Sequence, residues 1–554
     1  MKHKLKFFTV LLLSVCIATT GCEKPKSDGA NFSFDYAMMG HPESLDPQIA
    51  ADENSLMVIG NLYTGLLERD GNGGLKNAAC SDYTVSSDGL TYNFKIRNNC
   101  YWFFDKNEDE EVSDDECFPV TAYDFQFAFR RIFDPNTQSP YRETYSCIKN
   151  ADEIIKGDKE YTEIGVAALN DTELVIQLDH TSSEFLNSLA LTPAMPCNEE
   201  FFTETKGRYG LDDKSIMSNG AFFVRLWFYD PYGHDNLIYM QRNLGNTAYD
   251  KIYPTNLNIY MKDSFDDVKN SFEDGDSDVL LSFISNQKLE EENNIRKYDN
   301  YTLGILINPD ISEYGNKNIR MALAYGIDKE SFGKNVTDDI SKAYGLIPSG
   351  VTYNGSSYRS QEPDTDAYVS EGKTVSYDPT YASDHFFAGM DEMGKRSLEN
   401  TKFLVPKDLL DTEHLHLVTQ NWQTLFGIYI GIEEVPQEEF DERIKKKDYT
   451  MAIYPLTGSY NSPMAFIENF TSDRSPFGYK NDELDEIVKE IEGMRDENGI
   501  LKKYLKAENI ILNDFLFIPV FYKSEYEVMG KGNDDILYDP FTKQLFFRHA
   551  KYFG

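Results

Sequence analysis

Across all 554 residues there is no Pro/Ser/Gly-rich stretch of the kind that separates independent beads on a string. A chain this long exceeds what one hydrophobic core usually organises, so two or three lobes are expected. Without linkers, those lobes must be built from chain that crosses between them more than once. No fixed-period repeat interrupts this reading. Strand-like alternation marks "TYNFKIR" (Thr91 to Arg97) and "ELVIQL" (Glu173 to Leu178), and helical spacing marks "TAYDFQFAFRRIF" (Thr121 to Phe133) and "NIRMALAYGI" (Asn318 to Ile327). Thr121 with Asp124 forms an N-terminal capping pattern for the first of these helices. The class is mixed α/β.

A net charge of −38 argues against nucleic acid, because no basic face is available to replace counterions around phosphates. The first residues point outward from the cell. Lys2, Lys4 and Lys6 precede an apolar stretch, Leu5 to Ala18, shorter than the ~20 residues of a membrane span, which reads as an export signal. It closes on "ATTGC", which resembles the lipobox of bacterial lipoproteins, with Thr19 where leucine is usual. On that resemblance Cys22 carries acyl chains, more than one of which is needed for a stable anchor. "EKPKSDGA" then forms a polar tether of at most roughly 3.5 Å per residue. The expected location is extracytoplasmic, on the bacterial cell membrane.

Setting aside Cys16 and Cys22 leaves Cys80, Cys100, Cys117, Cys147 and Cys197, an odd set with at least one free thiol. Cys100 and Cys117 bracket "DKNEDEEVSDDE" and could staple it as a hairpin. This segment places Asp105, Asn107, Asp109, Glu111, Ser113 and Glu116 at calcium-loop spacing, but Glu110 stands where the sharp turn needs glycine. It reads as a solvated acidic loop, with a weak structural calcium site as the alternative. No cofactor is indicated.

From residue 41, "HPESLDPQIAADENSLMVIGNLYTGLLERDGNG", then "YTVSSDGLTYNFKIRNNCYW", "PVTAYDFQFAFRRIFDPNTQSPY", "SNGAFF", "IRMALAYGIDKE" and "IPVFY" occur in an order that resembles bacterial solute-binding proteins of family 5, the extracytoplasmic oligopeptide-binding lipoproteins of peptide ABC importers. "IKNADEIIKGDKEYTEIGVAALNDTELVIQL" resembles the oligopeptide branch in particular. The resemblance implies an α/β, two-lobed periplasmic-binding-protein-like fold of class II, the large peptide-binding type, with an additional subdomain. It implies a signal peptide at 1–21, a lipidated cysteine and tether at 22–30, and lobe I at 31–66, 196–300 and 523–554. Subdomain Ib then covers 67–195, with the acidic hairpin at 105–116, and lobe II covers 301–522. An oligopeptide would be enclosed by hinge closure and delivered to ABC permease and ATPase subunits by a monomeric, lipid-tethered receptor.

In the oligopeptide branch an aspartate in a "Cys-Ala-Asp-Tyr-Asn-x-Pro"-like stretch pairs with the peptide's amino terminus. Here the stretch is "TGSYNSP", Thr457 to Pro463, with Ser459 at the aspartate's place and Tyr460, Asn461 and Pro463 matching. Either ligands without a free amino terminus are tolerated, or another acid such as Asp52 or Glu53 takes over. Tyr141 matches a tyrosine that touches peptide in the family. Tyr301 lies near the crossing into lobe II, and Trp422 begins the helix after a lobe II strand; each is a ligand contact or a core residue. "RIKKKDY" brings Arg443, Lys445, Lys446 and Lys447 near the place of cations for the peptide carboxylate, while Ile453 and Pro455 replace polar or flexible positions in the same strand. An enzyme is not expected, since no G-x-S-x-G, H-E-x-x-H or phosphate loop is present. His414 and His416 would share one face if "EHLHLV" were a strand. A ligand of oligosaccharide, or one signalling peptide, is the alternative on the same fold.

Overall fold

The computed structural model describes residues 31–553 apart from 71–73, 107–112, 114–115, 234, 244, 247–250, 284–293, 336–339, 362–368, 371–372, 399–400, 408 and 411. Cys22 and the export and tether segments lie outside the described residues.

Two long antiparallel strands, Asn294–Ile307 and Phe517–Met529, organise the molecule. They pair from Asn294 opposite Met529 to Leu306 opposite Phe517, with irregularities at Asp299/Tyr301 and Leu303/Gly304. One end of this ribbon contributes Val528 to a small core with Ala37, Val268, Phe272, Leu280 and Tyr526, and Met529 to the first large core. The other end contributes Leu303, Ile305, Phe517 and Phe521 to the second large core. The same ribbon therefore belongs to both lobes. At the irregularity Gly304 carries no side chain because the Phe517 ring occupies its place: a Cβ there would lie 2.1 Å from the ring.

The first large core runs unbroken through the stretches expected as lobe I and subdomain Ib, together called lobe I below, and is covered by two four-stranded sheets. One is ordered Ser33–Met39, Asn256–Lys262, Leu237–Arg242 and Phe222–Phe228, with only its first pair parallel. The other is antiparallel, ordered Cys80–Val85, Thr91–Ile96, Glu173–Gln177 and Val166–Asn170. Alternation predicts its two central strands because one face only is buried; Tyr92, Phe94 and Ile96 point inward while Asn93 and Lys95 face water. The helix Ala122–Phe133 packs on this sheet and starts as its capping pattern predicts, with the Thr121 amide donating to Asp124 at 2.7 Å. Arg131 on this helix is buried, and Asp46 and Gln48 neutralise and bond it at 2.5 and 2.6 Å.

In the second lobe the ribbon continues into Met451–Leu456, then into the parallel strands Lys402–Pro406 and Gly431–Val435. Helices including Lys317–Tyr325, Pro379–Met393 and Glu497–Asn513 cover it. The mixed α/β, two-lobed class is thus the observed one.

Two expectations are corrected. "EHLHLV" lies within the helix Thr412–Phe426, so His414 and His416 are turned to opposite sides, one buried and one exposed. Residue alternation over so short a run is equally compatible with the i, i+3, i+7 series Leu415, Val418 and Trp422, all fully buried. Cys100 and Cys117 are not bridged; none of the five described cysteines is in a disulfide. Register explains it: Cys117 stands opposite Phe103 in the hairpin, while the Cys100 carbonyl faces Val120, three residues along.

Candidate functional site between the lobes

The strand Met451–Leu456 pairs with the lobe II half of the ribbon and runs directly into the Thr457–Pro463 loop, which returns toward lobe I. Thr457 Oγ1 donates to the Asn300 carbonyl at 3.1 Å, pinning the loop to the ribbon where it passes between the lobes. The Asn300 side chain donates in turn to Glu525 at 2.9 Å and to the Pro540 carbonyl at 3.0 Å. Lys543 donates to Glu525 at 2.7 Å and lies 4.4 Å from the centre of the Tyr301 ring.

Lobe I supplies the facing wall. Gln544 Nε2 reaches the Leu56 carbonyl at 2.7 Å and holds the C-terminal segment against the helix Glu53–Leu62. Glu53 opens that helix and lies within electrostatic reach of Lys543 and Glu525. Glu53 is exposed at its surface, and desolvation by the surrounding groups raises its carboxyl above the ordinary range. Asp52 caps the helix by accepting from the Ser55 amide at 2.8 Å. Tyr141 donates to the Ala50 carbonyl, and burial pushes its phenol up to about 12. Tyr301 is likewise held at about 12 by burial. Glu525 thus binds the Lys543 ammonium, and Glu53 lies in its field, beside tyrosine rings.

A second group of contacts closes the far side of the Thr457–Pro463 loop. The Arg69 guanidinium of lobe I lies 5.9 Å from the Tyr460 ring and 3.7 Å from Asp539. Glu184 accepts from Ser462 Oγ at 3.3 Å and from Tyr504 OH at 3.2 Å. Glu468 pairs with Arg474 at 2.5 Å, and burial pushes the Glu468 carboxyl up to about 7 against the pull of that arginine. Between these walls Ser459 is exposed. The chemistry on offer is that of a polar surface between the lobes, with tyrosine rings, hydrogen-bonding groups and ions of both signs, part of it exposed.

Residues 74–477 match the model of the bacterial extracellular solute-binding proteins, family 5 middle. The chain belongs to that family. This solute-binding protein is similar along almost its whole length to the oligopeptide-binding protein OppA of Bacillus subtilis, 24% identical over 98% of this chain and 97% of the relative. It is 26% identical to the periplasmic oligopeptide-binding protein OppA of Salmonella typhimurium over 87% and 85% of the two chains. Among solved structures, Listeria monocytogenes OppA bound to peptide superposes with a TM-score of 0.72 at 22% identity, covering 95% of this chain and 99% of that one. The pheromone receptor PrgZ superposes with a TM-score of 0.73 at 22% identity, covering 94% and 99%.

Of the residues singled out from sequence, the structure of this solute-binding protein brings Tyr141, Tyr301, Ser459, Tyr460, Asp52 and Glu53 to the interlobe region. It places others elsewhere. Trp422 lies well inside its helix instead of beginning it; it is fully buried in the second core and its indole donates to the Leu323 carbonyl at 2.9 Å, so it is a packing residue. Arg443 is committed to Glu433 at 3.0 Å, Lys446 to Glu442 at 2.7 Å and Lys447 to Asp310 at 3.0 Å, all on lobe II itself. Ile453 is buried in the second core, and Pro455 pairs with Leu303 of the ribbon.

The acidic segment is also committed to local structure where it is described. Asp105 pairs with Arg225, and the buried Glu116 turns inward to accept from the amides of Lys106 at 2.8 Å and Ser113 at 3.1 Å. The first and last positions of the calcium spacing are therefore used without a metal. Asn107, Asp109 and Glu111 lie outside the described residues.

Sequence reading missed Glu184, Arg69, Glu468, Arg474, Glu525 and Lys543. None carries a local signature; Glu184 and Glu525 take their places from chain segments hundreds of residues apart meeting in space, and the ion pairs Glu468–Arg474 and Glu525–Lys543 join residues with no shared periodicity. The signal within reach was charge, since charged residues between apolar runs, as Lys523, Glu525 and Glu527 in "FYKSEYEVM", must find partners when buried, as all three are.

Proposed function

We propose that this solute-binding protein captures oligopeptides between its two lobes and hands them to an ABC importer. The observation that carries the reading is the convergence, between the lobes, of Tyr141, Tyr301 and the Ser459–Tyr460 loop with the Glu53, Glu525 and Lys543 group. Full-length similarity to relatives named for oligopeptide binding supports it. A peptide presents a regular row of amides with varied side chains, and a surface of fixed polar groups with tyrosine rings serves both. The protein binds and does not catalyse.

Glu53 is the acid we assign to a ligand's cationic group in place of the missing charge at Ser459. Asp52 is already engaged as a helix cap, whereas Glu53 lies in the field of Lys543, which is hydrogen-bonded to Glu525. Cys22 is assigned to lipid attachment, so that the receptor stays at the membrane beside transmembrane and ATP-hydrolysing subunits.

Native mass spectrometry of the protein purified without denaturation tests this, with identification of what unfolding releases. A ladder of short peptides supports the proposal. Release of carbohydrate, or of one defined peptide, replaces it with the corresponding alternative on the same fold.

A further inference from the structure

Glu184 stands just before the short helix Phe185–Ser188 of lobe I, and its two oxygens have different tasks. Oε2 accepts from the Asn187 side chain at 2.8 Å, a contact within its own lobe. Oε1 faces the other lobe, where it takes Ser462 Oγ and Tyr504 OH, partners 278 and 320 residues away. Asn187 therefore orients the carboxylate before the lobes meet. Ser462 is prepared in the same way: its oxygen accepts from the Met464 amide at 3.2 Å as a helix cap, leaving its proton for Glu184. Tyr504 comes from the long helix Glu497–Asn513, with its ring edge-on to Tyr353 at 5.5 Å.

We infer that Glu184 fastens the closed cleft, as a lobe I carboxylate that the lobe II hydroxyls of Ser462 and Tyr504 bond only when the lobes meet, sealing it beside the Ser459–Tyr460 loop. The assignment rests on the ligand-capture reading above. Its consequence is for specificity and residence time. A ligand terminus beside Tyr460 ends against this seal, and release requires breaking it.

The fastening is coupled to protons. When the lobes separate, Glu184 returns to water and the ordinary carboxylate range, ~4.3. In the closed form desolvation raises its pKa; the hydrogen bonds from Asn187, Tyr504 and Ser462 and the charge of Arg69 oppose that without cancelling it. The neighbouring Tyr460, Tyr353, Glu468 and Arg474 complete the charged and titratable surroundings. A group whose pKa is raised on closure favours the closed form while protonated. That contribution is fully present below the open-state value and is lost as pH rises through the closed-state value. Glu468 is raised by burial as well, so only substitution at Glu184 isolates the fastening.

The experiment is hydrogen–deuterium exchange, corrected for intrinsic rates, on the full chain and its Glu184→Gln, Glu184→Ala and Tyr504→Phe variants. It is run between about pH 5 and about pH 8, with and without an equimolar mixture of synthetic tri- to octapeptides. In the wild type, protection of 180–190 and 457–466 is expected to rise several-fold toward acid pH. Glu184→Gln should keep protection but show a smaller pH dependence, because its amide oxygen still accepts from Ser462 and Tyr504 without titrating, while the Asn187 amide can turn to accept from its NH2. Glu184→Ala and Tyr504→Phe should exchange several-fold faster and release peptide faster. A Glu184→Gln profile identical to the wild type overturns the inference, even if the alanine variant fails to fold. Retention of peptides by all variants with unaltered exchange also overturns it, leaving the ligand reading intact. Exchange that follows Glu184 while no peptide is retained supports the fastening and removes the peptide reading.

Discussion

Lys543 reaches Glu525 across 2.7 Å while its ammonium rests against the face of Tyr301, so the C-terminal segment of the chain is ionically tied to the ribbon that joins the lobes. Both partners are almost wholly buried, at 11% and 7% side-chain exposure, which makes the pair costly to break from one side. Lys543→Met should destabilise the protein by ~3–5 kcal/mol, because Glu525 is left as a buried charge that the neutral Asn300 amide does not offset. Denaturant unfolding measures the loss. Lys543→Met with Glu525→Gln together should recover a large part of it.

Stability should also decline as the solution passes from mildly acid to mildly alkaline. Glu527 is fully buried, accepts from Tyr298 OH at 2.8 Å, and has its carboxyl pushed up to about 7 by desolvation. Unfolded, the same group titrates near ~4.3, so the folded form binds the extra proton between the two values. The stabilisation is complete below the unfolded value and is lost as pH rises through about 7. Glu527→Gln should flatten that part of the profile in chemical denaturation across the same window.

Calcium should leave the protein unchanged. Asp105 and Glu116, the two ends of the calcium-like spacing, already have an arginine and two backbone amides as partners. Titration with calcium is expected to give no heat above dilution and no shift in melting temperature. Glu116→Ala should lower the melting temperature, because the amides of Lys106 and Ser113 lose their acceptor.

Reducing agent should not alter the unfolding midpoint, since the five described cysteines are unbridged. Among them Cys117 alone is partly exposed, while burial pushes the Cys80 thiol up to about 11 and those of Cys100, Cys147 and Cys197 to about 12. Alkylation of the native protein, read by peptide mass mapping, should therefore modify Cys117 well before the other four.

Local pattern carried the sequence reading wherever one face of an element is buried. Thr91–Ile96 and Glu173–Gln177 alternate because their sheet has one wet face, and Ala122–Phe133 announces its own start through Thr121 and Asp124. The fold class followed from landmarks in order along the chain. Pattern failed at Glu413–Val418, where six residues fit both periods, and Trp422 was misplaced with it. It could not locate Glu184, Ser462 and Tyr504 together, nor Glu525 with Lys543, because no periodicity links segments that meet only after folding. The lysines after Arg443 were legible as charge, but their partners on the same lobe were not.

The paired strands Asn294–Ile307 and Phe517–Met529 cross from one lobe to the other with their ladder intact through most of its length. A hydrogen-bonded ladder forbids one strand from sliding past the other, but bends and twists where its register slips, at Asp299/Tyr301 and Leu303/Gly304. The joint therefore works as a leaf spring clamped at both ends. Flexure is cheap in one direction and translation is blocked, so every opening returns Glu184 to the same pair of hydroxyls.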